Sequence, residues 1–167
     1  SDPDEIPRPE MLTNLKLHKK YGIFLQKMFC YKLNVYNPHE SPWEGSRICL
    51  KRNLKSIDFL RQKILKKNIR YPFWRIDKEK SIQLIDNGGW HFNYLLEPEK
   101  ISKKLKTFAH TQYNKDEFTN IDVIKKNIHE MRDLFNREHK YYRVHLDNTF
   151  PDYILNNQSE FNQWIEQ

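Results

Sequence analysis

The sequence predicts a layered domain of mixed α-helices and β-strands. Short apolar runs with the period of strands alternate along the chain with segments that have helical periodicity and helix-start residues. The chain has 167 residues, of which 38% are hydrophobic and 14% aromatic. This length and composition are enough for one hydrophobic core of ordinary size but not for two domains of typical size. We therefore expect a single compact unit.

The first 36 residues predict a loop, a helix and a long strand. Residues 1–9 are rich in Asp, Glu and Pro, as loops are, and Pro9 suits the first turn of a helix that extends to Gly22. Residues 23–36 have mostly apolar odd positions and some apolar even positions, which predicts a strand with burial on both faces. We expect this strand to be central in the sheet.

The rest of the chain predicts shorter elements, bounded by turn residues and helix caps. In chain order they are a loop at 37–45, a strand at 47–50, a helix from the N-cap Ser56 to Lys67, strands at 70–74, 81–86 and 90–95, helices at 98–110 and 120–137, and a turn with an amphipathic helix over 150–167.

The net charge of +7 and the pI near 9.3 attract an anionic partner over long range without identifying it. Nucleic acid, anionic lipid and a sugar diphosphate all qualify. The two cysteines, Cys30 and Cys49, form neither a disulfide framework nor a zinc signature, and we expect both to be buried free thiols. No run has the roughly 20 apolar residues that span a bilayer, and the motifs of serine hydrolases, P-loop NTPases and Rossmann enzymes are missing from the sequence.

Three carboxylates lie in the segment Ser1-Asp2-Pro3-Asp4-Glu5-Ile6-Pro7. Pro3 favours an extended conformation at Asp2, which predicts that alternate carboxylates project to one side. Paired Asp carboxylates suit Mn²⁺ or Mg²⁺, which in turn bridges phosphate oxygens. The alternative is a solvated acidic terminus. Because acidic ligand loops in open α/β sheets follow a buried strand, we expect the first strands of the sheet to lie upstream of Ser1.

The segment Gly88-Gly89-Trp90-His91-Phe92 is a second candidate. Two glycines allow a backbone to approach a ligand closely, and the face of Trp90 suits a sugar. The alternative is a hairpin turn with a Trp in the core and a hydrogen-bonded His.

Two further acids are candidates for proton transfer or metal binding. Glu99 follows Pro98 in the first turn of a predicted helix, where the helix dipole stabilises the carboxylate and keeps it available as a base; a helix-capping acid is the alternative. Asp147, which alternates with His145 on a predicted strand, could complete a metal site or be solvated.

In their order along the chain, the segments at 1–7, 88–92 and Phe-Pro-Asp-Tyr-Ile-Leu-Asn-Asn at 150–157 resemble glycosyltransferase family 17, the family of β-1,4-mannosyl-glycoprotein β-1,4-N-acetylglucosaminyltransferase. The resemblance covers nearly the whole chain. It also includes the shorter segments Trp43-Glu44-Gly45, Phe108-Ala109-His110 and Arg132-Asp133-Leu134-Phe135. Thr111-Gln112 departs from the Gln-Glu that microbial relatives often show.

The resemblance implies a GT-A-type fold, an inverting reaction and a UDP-sugar donor held through Mn²⁺ or Mg²⁺. Asp2 and Asp4 match the metal-binding Asp-x-Asp loop, and Trp90 and His91 match the Gly-Trp-His segment; Gly88, Gly89 and Trp90 are the further candidates for donor binding. Glu99 lies where inverting relatives of this fold often keep a catalytic acid. On this basis residues 1–167 are expected to be the C-terminal part of one catalytic domain that begins at the Asp-x-Asp loop.

The predicted reaction transfers a sugar, N-acetylglucosamine by resemblance, to a glycan hydroxyl, with Glu99, His91 and Asp147 as candidate bases in that order. The resemblance fits a cytoplasmic enzyme in a microbe or virus and a Golgi enzyme in a eukaryote. Two alternatives stay open: a basic nucleic-acid-binding module and an inactive carbohydrate-binding remnant.

Overall fold

The computed structural model describes residues 1–107 and 115–167, in which strands and helices form a mixed α/β structure. The predicted α/β class is confirmed. The chain divides into two compact units: the first contains Ser1–Met28 and Ser41–His91, and the second contains Phe29–Glu40 and Phe92–Gln167.

The strands of the described residues are β1 (Glu5–Pro7), β2 (Tyr21–Cys30), β3 (Val35–Tyr36), β4 (Trp43–Cys49), β5 (Ile82–Ile85), β6 (Gly89–Asn93) and β7 (Tyr142–Arg143). The α-helices are α1 (Pro9–Thr13), α2 (Ile57–Gln62), α3 (Pro98–Thr107), α4 (Asp116–Thr119), α5 (Ile121–His129) and α6 (Asp152–Asn156). Short 3₁₀ turns occur at Lys51–Asn53, Lys66–Arg70 and Asn162–Trp164.

The first unit is built around β2. Residues 21–26 of this strand pair antiparallel with β4 and residues 21–24 pair parallel with β5. Both faces of the strand are buried, since Ile23 and Phe24, which point to opposite faces, are both at most 1% exposed. The predicted central strand is confirmed, and Ile64 packs into the same core.

In the second unit, β3 pairs antiparallel with the end of β2 through Phe29 and Tyr36, and with β7 on its other side. Three helices, α3, α4 and α5, contact one another and bury the apolar side chains Ile101, Leu105 and Ile124. The predicted start of the helix at Asn120 is confirmed to within one residue: α5 begins at Ile121, and the Asn120 side-chain oxygen caps it by accepting from the amides of Asp122 and Val123.

Several predicted boundaries are wrong in the N-terminal half. Residues 5–7 form β1 within the predicted loop, α1 ends at Thr13 instead of Gly22, and β4 begins at Trp43 within a second predicted loop. The predicted strand at 23–36 is interrupted at Tyr31, whose φ of 68° turns the chain out of the extended conformation. The helix capped by Ser56 is confirmed, but it ends at Gln62.

Predicted regular structure is also too long elsewhere. Residues 70–74 form no strand, helix α5 ends at His129 shortly before the left-handed Met131 (φ 51°), and the C-terminal helix is reduced to α6 and a 3₁₀ turn. The predicted end of α3 at His110 and the segments Phe108-Ala109-His110 and Thr111-Gln112 lie outside the described residues. Cys30 is buried as predicted, whereas Cys49 is only half-buried.

Candidate functional site

The antiparallel pair β1–β6 joins the two strongest sequence motifs. Its register sets Glu5 opposite His91, Ile6 opposite Trp90 and Pro7 opposite Gly89. The acidic segment and the Gly-Gly-Trp-His segment, which are far apart in the chain, are therefore neighbours in the first unit. This adjacency makes them one candidate site.

The acidic segment is a tight turn rather than the predicted extended projection of carboxylates. The amide of Glu5 donates to the Asp2 carbonyl at 3.0 Å, and the amide of Asp2 donates to the Glu5 carboxylate at 3.2 Å. Pro3 and Asp4 occupy the central positions of the turn, and proline suits the first of these because its φ is preset. The three carboxylates are therefore presented by a closed turn.

Asp2 and Asp4 have different neighbours. The Asp2 carboxylate pairs with the Arg61 guanidinium at 2.7 Å, and its side chain is 41% exposed. The Asp4 carboxylate lies 3.6 Å from His91 Nε2, and its side chain is 32% exposed. Both carboxylates are accessible to a ligand from solvent, but a ligand of Asp2 must compete with Arg61.

His91 lies between carboxylates on both sides of its ring. Its Nδ1 atom is 4.0 Å from the buried carboxylate of Glu5, and its Nε2 atom faces Asp4. The Trp43 ring packs edge-on against the imidazole, with 5.0 Å between centroids. Both distances are too long for hydrogen bonds, so packing of the buried ring against Trp43 restricts its orientation while the carboxylates face it from two sides.

Glu5 and Trp43 are functional candidates that sequence reasoning missed. Glu5 is 8% exposed and accepts a hydrogen bond from Trp43 Nε1 at 3.1 Å. Both residues lie in sequence segments that were already considered as motifs. Their hydrogen bond links β1 to β4, however, and no pattern of neighbouring residues predicts it. Only the three-dimensional arrangement shows that Glu5 differs from Asp2 and Asp4 by being buried.

The two glycines approach the chain's own backbone. Gly89 has a φ of +133°, and a Cβ atom there would lie 2.0 Å from the Ile6 carbonyl oxygen. The Gly88 amide donates to the Leu25 carbonyl at 2.7 Å, and a Cβ atom at Gly88 would lie 2.9 Å from the Leu25 nitrogen. These glycines thus allow the approach of β1 and β2.

Trp90 is a buried support rather than an open sugar platform. Its side chain is 2% exposed, and the Arg8 guanidinium lies over its ring at 4.3 Å from the centroid. Arg8 also donates to the carbonyl and side-chain oxygens of Asn87 at 3.2 and 3.3 Å. Trp90 therefore holds a cation beside the acidic turn.

A third arginine, Arg47, lies in the electrostatic field of Glu5 and Asp2. Burial lowers the pKa of Arg47, and Glu44 and Glu5 partly offset this effect. Its guanidinium donates to the carbonyls of Ile64 and Gly45 at 3.0 and 2.7 Å, so it is held in the structure. The first unit therefore brings guanidinium groups as well as carboxylates to this region, with Arg61 paired directly to Asp2.

Glu99 and Asp147 belong to the second unit. Glu99 is in the first turn of α3 as predicted, is exposed, and lies 3.4 Å from Lys125. A backbone hydrogen bond at the helix start lowers the pKa of Glu99, and Lys125 lowers it further. Asp147 accepts from the Thr149 amide and hydroxyl at 2.9 and 2.6 Å, and the predicted strand through His145 is not formed.

Within residues 1–107 and 115–167, no group of three or more His, Cys, Asp or Glu side chains is arranged to hold a metal ion. The candidate metal ligands at the acidic turn are Asp4 and Asp2. Asp2 could bind a metal ion only after its ion pair with Arg61 is broken. A Mg²⁺-like cation is commonly held by one or two carboxylates together with phosphate oxygens and water, and the acidic turn fits this incomplete type of site.

Comparison of the chain with protein-family models, with curated proteins and with solved structures found no match. In the described part of the chain, no helix is both long and apolar enough to cross a lipid bilayer.

Proposed function

We propose that this chain is part of a metal-dependent, inverting glycosyltransferase of the GT-A type, related to glycosyltransferase family 17. It would transfer N-acetylglucosamine from a UDP-sugar to a glycan hydroxyl. The main support is the β1–β6 pairing, which combines the two motifs of the resemblance and leaves Asp4 3.6 Å from His91.

In this proposal Asp4 is the main protein ligand of Mn²⁺ or Mg²⁺, and Asp2 is the second. The cation supplies charge neutralisation for the leaving diphosphate. Asp4 is the better ligand because its carboxylate is accessible and its neighbour is a His, whereas Asp2 is already paired with Arg61 at 2.7 Å. Arg61 and Arg8 place positive charge beside the turn, which suits binding of a diphosphate.

His91 and the buried Glu5 are positioning residues in this scheme. Glu5 is held by Trp43 and faces Nδ1 of His91, and His91 presents Nε2 towards Asp4. This arrangement would restrict the rotamers of His91 and Asp4, as supporting side chains do in metal sites. Loss of His91 would therefore weaken metal-dependent donor binding.

Glu99, His91 and Asp147 are kept as candidate bases. His91 is the one in the same unit as Asp4, but its side chain is only 8% exposed, which favours the positioning role. Glu99 is exposed, as a base that meets an incoming hydroxyl must be, although its lowered pKa makes it a weaker base. Asp147 is engaged by Thr149.

The test is calorimetric titration of UDP and UDP-N-acetylglucosamine, with and without Mn²⁺, on the protein expressed from its complete gene. We expect Mn²⁺-dependent binding that is lost in Asp4→Asn and kept in Asp58→Asn, an exposed aspartate of α2. Binding of UDP that needs neither Mn²⁺ nor Asp4 would contradict the proposal. Binding of single-stranded DNA that weakens steeply with salt, with no UDP binding, would instead support a nucleic-acid module.

A further inference from the structure

The loop that follows the second 3₁₀ turn exposes three large apolar side chains. Phe73 is 84% exposed, Trp74 66% and Ile76 93%, and Ile76 is the most exposed large apolar residue of the described chain. We call these three residues the apolar tip. Single exposed apolar residues are ordinary, but three within four positions mark an interaction surface.

The apolar tip is held by local structure. The amide of Arg75 donates to the Pro72 carbonyl at 3.1 Å, and the Arg75 guanidinium binds the Asp77 carboxylate through two hydrogen bonds of 2.7 and 2.8 Å. The Phe73 and Trp74 rings pack edge to face, with 5.2 Å between centroids. These contacts give the exposed tip a defined local conformation in the first unit.

Most of the excess positive charge of the protein flanks this tip. Residues 63–80 contain seven Lys or Arg and two Asp or Glu, a net charge of +5 out of +7 for the whole chain. Lys63, Lys67 and Arg70 are exposed at the start of this segment. An exposed apolar tip with basic flanks is complementary to a surface that carries negative charge at the water boundary and is apolar below it.

We infer that residues 63–80 bind the surface of an anionic lipid bilayer. The apolar tip enters the boundary between headgroups and acyl chains, and the flanking lysines and arginines stay at the level of the lipid phosphates. Aromatic residues, Trp above all, are enriched at this depth because their rings are amphipathic. The inference is independent of the proposed glycosyl transfer, because none of these residues belongs to the acidic turn.

The composition of the tip favours lipid over nucleic acid. Base stacking uses aromatic faces, but the most exposed member of the tip is the aliphatic Ile76, which cannot stack on a base and does suit an acyl-chain environment. The charge favours lipid over a second copy of the chain, because two surfaces of net charge +5 would repel.

The test is sedimentation with vesicles of phosphatidylcholine containing 30% phosphatidylserine, compared with phosphatidylcholine alone. We expect binding to the anionic vesicles, and a loss of at least about tenfold in partition coefficient for Phe73→Ser/Trp74→Ser/Ile76→Ser. The control is Ile57→Ser/Tyr153→Ser, at two apolar residues that are 64% and 65% exposed outside the tip, which should bind like the wild type.

A second pair of variants tests the charge. Lys63→Gln/Lys67→Gln/Arg70→Gln should lose at least about tenfold in binding, because each basic residue near an anionic surface contributes severalfold. Lys103→Gln/Lys106→Gln/Lys126→Gln removes the same charge from exposed positions of α3 and α5 and should have a smaller effect. Brominated lipids should quench Trp fluorescence in the wild type, and Trp74→Phe should remove this quenching.

Three results would overturn the inference. They are equal binding of the wild type and the tip variant to anionic vesicles, binding of single-stranded DNA that the tip variant loses while vesicles are not bound, and a dimer in sedimentation equilibrium that the tip variant dissociates. Circular dichroism checks that every variant is folded.

Discussion

Trp43 donates its indole N–H to the buried carboxylate of Glu5 across 3.1 Å, although the two residues are 38 positions apart in the chain. The bond holds a charged group that is only 8% exposed and that faces His91 from the side opposite Asp4. Trp43, a residue of β4, thus positions a carboxylate that faces the same imidazole ring as Asp4.

Trp43→Phe should destabilise the protein by about 1.5 to 3 kcal/mol, because it removes a hydrogen bond to a buried charged acceptor. Urea unfolding measures the effect. Trp74→Phe is the matched control: Trp74 is 66% exposed, and its replacement should change stability by less than about 0.5 kcal/mol. Equal effects of the two substitutions would show that the bond to Glu5 contributes nothing.

Asp4→Asn should abolish Mn²⁺-dependent UDP-sugar binding and transfer, because it removes a charged oxygen ligand and keeps the shape of the side chain. Asp2→Asn should cost less, since the Asp2 carboxylate is already neutralised by Arg61. Binding is measured by calorimetry and turnover by release of UDP. A folded Asp4→Ala protein with Mn²⁺-dependent transfer at the wild-type rate would remove the main support for the glycosyltransferase proposal.

Glu99→Gln should lower kcat by about 10²- to 10⁴-fold and leave donor affinity nearly intact if Glu99 is the general base. His91→Gln should instead weaken donor and metal binding, because His91 faces Asp4 at 3.6 Å. Glu97→Gln, at an exposed acid just before the same helix, is the control. Normal kcat in Glu99→Gln would move the assignment to His91 or Asp147.

Gly89→Ala should reduce both stability and site integrity, because alanine is strained at a φ of +133° and its Cβ would lie 2.0 Å from the Ile6 carbonyl. The strain alone is about 1 to 3 kcal/mol. Hydrogen exchange should show loss of protection in β1 and retention in β2. Gly22→Ala is the control, since its Cβ would meet only side-chain atoms and no positive φ is involved; an equal loss of protection in β1 there would contradict the explanation.

Asp133→Asn should destabilise the protein by about 2 to 3 kcal/mol at pH 7. This is less than the cost of breaking a fully buried ion pair, because the Arg137 side chain is 39% exposed. Burial by itself would raise the pKa of Asp133, but hydrogen bonds from Arg137 and the Phe135 amide outweigh it and leave the pKa below its usual value. A lowered pKa stabilises the folded state above the unfolded pKa of about 3.9 and loses this effect as the pH falls through the folded value. The difference between wild type and variant should therefore shrink below about pH 4.

The pH dependence is followed by thermal unfolding between pH 3 and 7. Asp116→Asn, at an exposed aspartate in the first turn of α4, is the control and should show a small change. A difference for Asp133→Asn that stays constant down to pH 3 would contradict the assigned direction of the pKa.

Local signals in the sequence predicted where several helices begin, although not where they end. Ser56 and Asn120 cap helices because their side chains accept amide hydrogen bonds, and Pro98 begins a helix because its φ is preset. The burial of β2 followed from apolar residues on both faces. Each of these features depends on residues within a few positions of one another.

Features that depend on distant pairing were not predictable in this way. Nothing near Glu5 indicates that residues 5–7 form a strand, because the partner of that strand is residues 89–91. The aromatic residues at 71–74 predicted a strand from their β-propensity, yet Phe73 and Trp74 are exposed beyond a 3₁₀ turn. The candidate site was predicted as two separate motifs, and its supporting pair of Glu5 and Trp43 was not recognised.

The pairing of β1 with β6 has a consequence for folding. The contact between Arg8 and Asn87 spans 79 positions. Forming the β1–β6 pair, which holds the acidic turn, therefore requires closing a long loop within the first unit. During synthesis, β1 cannot pair with β6 until residue 91 has left the ribosome. Strands β2 and β4 are both complete earlier and can pair before then. After dilution from denaturant, recovery of metal-dependent binding should therefore lag behind recovery of the core.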